Sequence, residues 1–357
     1  MKKVMILTFQ FADNYGALLQ AYALKREIET IGYQADVVNY VSDLNKAEYS
    51  RNPFIVKGSF KKKVKRVLKL PLAWKQMKLC DEFRKTNLEL KREIKKEELM
   101  NLTEEYTALV VGSDQVWNGR LTGDNTTYFL DFGKNIKKIS YAASLGTMKM
   151  TDFQKDCMKK YVSEFDAVSI REERNLDEVK YYVSKAENVV DPVFLNTGQW
   201  KQIASAGKHS VAEKYILYYS LGGAEDFEKI VEELSNTHSL QTISVHPTAK
   251  KYHIKGKQLY NVGPIDFLAL IENAEIVCTD SFHATCFSII FGKLLCYKTN
   301  QDNPGRAESF LRKLKAIPDN SLTETLSCQL LDCSKINKTI LKQDIARSKT
   351  FLREALN

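Results

Sequence analysis

Between Glu275 and Gly292 the chain reads EIVCTDSFHATCFSIIFG, and this run restricts the fold more than any other. The apolar segment ending at Cys278 suits a buried strand, Thr279 to Phe282 a polar turn, and Ala284 to Phe291 an apolar helix closed by Gly292. A strand that passes through a short turn into a helix is the repeating joint of an open α/β sheet. It puts His283 in the first turn of a helix, at the carboxyl end of a strand. Ligands of such sheets bind there, because the helix N-terminus offers unpaired N–H groups and partial positive charge to an anion. Asp280 or Ser281 can cap the helix, and both face the same crevice.

The rest of the chain repeats the alternation. Lys3 to Phe9 reads as a strand, Gln10 to Tyr15 as a loop, Ala17 to Ile31 as a helix ended by Gly32, and Gln34 to Tyr40 as a second strand. In that βαβ opening Asn14, Tyr15 and Gly16 stand where ligands bind. Gly16 would let the backbone approach a phosphate, although a plain helix N-terminal turn explains the residues equally well. Neither GxGxxG nor GxxxxGK[ST] occurs, which argues against dinucleotide and P-loop chemistry. Ala108 to Val111 runs into a polar loop with Ser113, Asp114 and Trp117, the tryptophan being either core or ligand-facing. Arg171 directly follows the strand Ala167 to Ile170. That position suits an anion, although Glu172, Glu173 and Arg174 open the next helix and an ordinary surface salt bridge is the alternative.

A chain of 357 residues exceeds one ordinary core, and the apolar periodicity breaks between Asn196 and Ala212. A second alternating unit follows, with strands at Tyr215 to Leu221, Thr242 to His246 and Leu294 to Tyr297. Arg306 stands at the exit of a polar loop, Thr299 to Gly305. The expected architecture is α/β, with two Rossmann-like domains facing a cleft. Residues 1–205 form the first, with a basic helical insertion at about 41–101; residues 206–335 form the second; a helix over 336–357 could cross back to the first.

Charge is concentrated. Lys57, Lys61, Lys62, Lys63, Lys65, Arg66, Lys69, Lys75 and Lys78 fall in one window without an acidic residue, and account for much of the formal +9. With Phe60, Val64, Val67 and Leu68 at helical spacing, segment 57–78 is either a solvated helix packed on its own domain or an interfacial helix on an anionic membrane. No nucleic-acid motif accompanies the charge. Seven cysteines with no CxxC pair point to a reducing cytoplasm, without a disulfide framework or a zinc site. Val4 to Phe9 is too short for a secretory signal, and no apolar run is long enough to span a bilayer.

Five segments in order, Asn14 to Tyr22, Val111 to Asn118, Ser169 to Glu172, Asp191-Pro192 and Thr279 to His283, resemble the polysaccharide pyruvyl transferase family. The resemblance implies a two-domain arrangement similar to GT-B glycosyltransferases. It also implies transfer of pyruvate from phosphoenolpyruvate to a sugar, or to a lipid-linked glycan, as a ketal. Where the family often reads Arg-Leu-His-Gly, this chain has Ser281-Phe282-His283-Ala284, and Arg306 is the nearest sequence candidate for the missing cation.

Ketal formation from an enol phosphate needs a proton on the methylene carbon, attack by sugar hydroxyls at the neighbouring carbon, and loss of phosphate. His283 suits the general acid, and Asp114 or Asp280 the acceptor of a hydroxyl proton. Arg171, Arg306 and the helix N-terminus from Ser281 would hold the donor's anionic groups. No cofactor or metal is required. A nucleotide-sugar glycosyltransferase and a non-catalytic glycan-assembly protein are the competing readings.

Overall fold

The computed structural model of the chain describes residues 1–49, 60–209, 211–222, 225–247, 252–299, 305–317 and 330–357, without the side chains of residues 60–70, 72 and 306. Two sheets of six strands organise it. The first contains β1 (Lys3–Leu7), β2 (Gln34–Val37), β3 (Ala108–Val111), β4 (Lys137–Ala143), β5 (Ala167–Ile170) and β6 (Glu187–Asn188). It is parallel throughout, in the order β2-β1-β3-β4-β5-β6. The second contains β7 (Tyr215–Tyr219), β8 (Gln241–Val245), β9 (Lys257–Leu259), β10 (Ile276–Thr279), β11 (Leu294–Tyr297) and β12 (Leu330–Asp332). Its order is β12-β11-β10-β7-β8-β9, and only β12 runs antiparallel.

Each sheet is covered on both faces, so β3 (ALVV) and β7 (YILYY) are apolar at every position rather than alternating. The two-residue period shows instead in where side chains go. Val4 and Ile6 join one core and Met5 and Leu7 another, and in β7 Tyr215, Leu217 and Tyr219 separate from Ile216 and Tyr218 in the same way. One apolar cluster runs through both halves. Tyr15, from the first helix (Tyr15–Ile31), stacks on Phe267 of the Pro264–Asn273 helix at 4.6 Å between ring centroids.

Where the sequence periodicity breaks, a short helix (Gln199–Ala204) packs on the Pro264–Asn273 helix. Its Trp200 donates to Val193 O at 2.7 Å and meets Phe287 edge-on. The last helix, Lys338–Leu356, returns to the first sheet. Ser348 Oγ accepts the Val190 N–H at 3.0 Å, and Tyr33 Oη donates to Leu356 O at 2.7 Å.

The 41–101 insertion contains helices Asp43–Tyr49, Phe60–Thr86 and Lys96–Leu102. Of the basic window, Lys57 and the side chains of Lys61, Lys62, Lys63, Lys65, Arg66 and Lys69 lie outside the described residues, whereas Lys75 and Lys78 are exposed beside Trp74. No described helix is long and apolar enough to cross a membrane.

Candidate active site

The Phe282–Phe291 helix starts two residues before Ala284, because Ser281 is its cap. Ser281 Oγ accepts the Ala284 N–H at 3.4 Å, and Gly292 closes the far end at φ 65°. The cap presents His283 to the carboxyl end of the first sheet, where its Nε2 lies 3.4 Å from Asp191 Oδ2. Asp191, just past β6, is fully buried. Its Oδ2 accepts from Arg171 Nη1 at 2.9 Å and lies 3.2 Å from Ser113 Oγ, while its Oδ1 accepts the Val193 N–H at 3.2 Å. Burial would raise this carboxyl's pKa, but His283 and Arg171 outweigh burial and hold it well below the usual carboxylate range.

Arg171 leaves β5 into a set of three carboxylates, with Asp191 at Nη1, Glu172 Oε1 3.4 Å from Nε and Asp114 Oδ1 3.7 Å from Nη2. Burial works against its charge. The carboxylates more than offset that and raise its pKa, so the guanidinium is a permanent cation. It also covers the Phe282 ring, 4.5 Å from the centroid. Three buried atoms of this cluster, Arg171 Nη2, Glu172 Oε2 and His283 Nε2, have no hydrogen-bond partner among the described residues. Leaving such a group unpaired costs about 1–3 kcal/mol, and a donor, an acceptor and a ring nitrogen together form the complement of a polar ligand.

A family model described as polysaccharide pyruvyl transferase matches residues 14–293, a span that holds every residue of this cluster. The chain belongs to the polysaccharide pyruvyl transferase family. This is an enzyme family. A search of curated proteins finds no match. Among solved structures, the UDP-GlcNAc 2-epimerase of Methanocaldococcus jannaschii matches at TM-score 0.50 and 16% identity, over 98% of this chain and 100% of that one. The UDP-N-acetylglucosamine 2-epimerase of Rickettsia bellii matches at TM-score 0.46 and 12% identity, over 99% and 97%. The fold is of the GT-B type.

Within this pyruvyl transferase fold the crevice residues separate into two groups. Arg171, Asp114, Ser113, Gly16 and His283 come together, Gly16 lying directly against the histidine ring. Asn14 caps the first helix, its Oδ1 accepting the Ala17 N–H at 3.2 Å. Tyr15 turns away into the joint between the halves, donating to Val262 O at 3.1 Å and accepting from Gln76 Nε2 at 2.8 Å. Trp117 is core: it is fully buried, donates to Tyr128 O at 2.9 Å and stacks on Phe129. Asp280 neither caps the helix nor faces His283, because its carboxylate accepts from Leu221 N at 2.6 Å, Gly222 N at 2.7 Å and Ser220 Oγ at 2.8 Å. It anchors the loop after β7. The Arg306 side chain is outside the described residues, although the Arg306–Lys313 helix begins at that residue.

Three contributors carried no assignment from sequence. Asp191 stands in a family segment but looked like the end of a strand. Phe282 looked like a turn residue, and the ring contact with Arg171 has no sequence signal. Arg84, from the insertion, donates to Gln10 O, Phe11 O and Ala12 O and pairs with Asp13 at 2.8 Å, so it holds the loop before the first helix. Among the described residues no group of three or more His, Cys, Asp or Glu side chains could hold a metal ion.

Proposed function

We propose that this family member transfers pyruvate from phosphoenolpyruvate to a sugar of a cell-surface polysaccharide, or of its lipid-linked precursor, as a ketal. The observation that carries the reading is the contact of His283 Nε2 with an Asp191 carboxylate that Arg171 also holds, beside an Arg171 Nη2 that faces Asp114 at 3.7 Å but has no hydrogen-bond partner among the described residues. Asp191 Oδ2, 3.4 Å from Nε2, orients the ring at position 283, which delivers a proton to the donor's methylene carbon. Arg171 Nη2 supplies a hydrogen bond and a charge to the donor's anionic end, and the helix N-terminus behind Ser281 adds partial positive charge. Asp114, on the same guanidinium, accepts a hydroxyl proton from the sugar.

A lipid-linked acceptor would be met at the cytoplasmic face of a membrane. Supporting that placement are the basic window and Trp74, 61% exposed with Lys78 Nζ 5.6 Å from its ring. Sedimentation with anionic liposomes that is unchanged by Lys61, Lys62 and Lys63→Glu would remove the electrostatic part of it.

Titration calorimetry tests the donor. Saturable binding of phosphoenolpyruvate, with uridine diphosphate giving no heat, is the expected result. Binding of the nucleotide in its place would overturn the reading in favour of a nucleotide-sugar transferase.

A further inference from the structure

The proton balance of the proposed reaction asks for more than one acceptor. A donor trianion and a neutral diol become a ketal monoanion and hydrogen phosphate. The C=C π bond breaks as one C–H bond forms, two C–O bonds form as the C–O bond to phosphate breaks, and both hydroxyls give up their protons. One of these protons replaces the proton that His283 gives to carbon. The other must leave with the phosphate. Asp114 can take one at the moment its oxygen attacks, and the second hydroxyl needs an acceptor of its own.

We infer that Glu172 is that second acceptor, resting on the pyruvyl-transfer reading: its Oε2 takes the proton of one hydroxyl of the acceptor diol and passes it to the departing phosphate. Glu172 is 3% exposed. Its Oε1 is committed, accepting from Ser144 Oγ at 2.6 Å and facing Arg171 Nε at 3.4 Å, whereas its Oε2 is buried with no donor among the described residues. A carboxylate oxygen in that state is costly unless a donor arrives, and an attacking hydroxyl is such a donor. Placement agrees with the role. Asp114 contacts Nη2 and Glu172 contacts Nε, so the two carboxylates share one edge of the guanidinium while Asp191 holds the Nη1 side. Two acceptors side by side on a common cation match two hydroxyls of one sugar. Arg171, Glu172, Asp191 and Phe282 also line a small cleft that continues to Phe310 and Lys313.

The test is phosphate release from phosphoenolpyruvate with a panel of methyl hexopyranosides and the lipid-linked glycans of a membrane extract, followed across pH. Wild-type protein is expected to show an acid limb in log kcat of slope two, for two carboxylates that must be ionised. Glu172→Gln is expected to lower kcat about 10²- to 10⁴-fold and to reduce that slope to one, with the phosphoenolpyruvate KM little changed. Ser144→Ala, which removes support for Oε1 only, should keep the slope of two and controls for folding. Wild-type turnover with Glu172→Gln unchanged in kcat and slope overturns the inference alone. No wild-type turnover with any acceptor overturns the reading beneath it.

Discussion

Gly16 and His283 are in contact across the two halves of the molecule, and the contact leaves no room for a side chain at Gly16. A Cβ there would fall 2.3 Å from His283 Nδ1 and 2.4 Å from Cγ. Gly16 has no unusual backbone angle, so its need is for space rather than for conformational freedom. Gly16→Ala should therefore leave the first helix intact, since alanine is the better helix former, and should push the histidine off Asp191. Turnover is expected to fall about 10²-fold, the usual cost of a misplacement near 1 Å, with a folded far-UV spectrum. Unchanged turnover would mean that the ring does not act from this position.

Arg171→Ala would leave Glu172 and Asp191 buried without their cation, and is expected to cost about 3–5 kcal/mol of stability in chemical denaturation. Donor binding is better read with Arg171→Lys. The lysine keeps the charge but loses the fork that spans three carboxylates, so weaker binding in a folded protein is the expected result.

Acid should expose Asp191. Its folded pKa lies below the unfolded value of about 3.9, so the stability it contributes is fully present above that value and is lost as pH falls through the folded pKa. Below about pH 4 the wild-type melting temperature is expected to drop more steeply than that of Asp191→Asn, which is less stable at neutral pH but lacks this titration. Parallel acid profiles would contradict the assignment.

Asp280→Asn separates a loop anchor from a catalytic base. Its carboxylate accepts three hydrogen bonds from Ser220, Leu221 and Gly222, so the variant should lose about 1–3 kcal/mol while the shape of the pH–rate profile stays the same.

These contrasts mark what the sequence can and cannot express. The central strands were legible because β1, β3, β7 and β10 are apolar runs between turn signals. The strands β9 and β12 are three residues each, KQL and LLD, too short for a period to show. For the site, strand ends pointed to Arg171 and His283, since backbone position alone puts a residue at the crevice. It does not say which way the side chain turns. Tyr15 and Trp117 turn inward to satisfy Val262 O and Tyr128 O, whereas Asp114 turns toward Arg171 from a positive φ of 71°. Asp191 had no signal of its own, because its partners lie 20, 78 and 92 residues away in sequence.

The most direct measurement compares wild-type and His283→Ala proteins for phosphoenolpyruvate binding by calorimetry and for phosphate release with a glycan acceptor. If the ring at position 283 protonates the donor, the variant should bind phosphoenolpyruvate with little change in affinity and lose about 10²- to 10⁴-fold in turnover. Turnover equal to wild type, or loss of donor binding with turnover of the bound fraction preserved, would contradict that role.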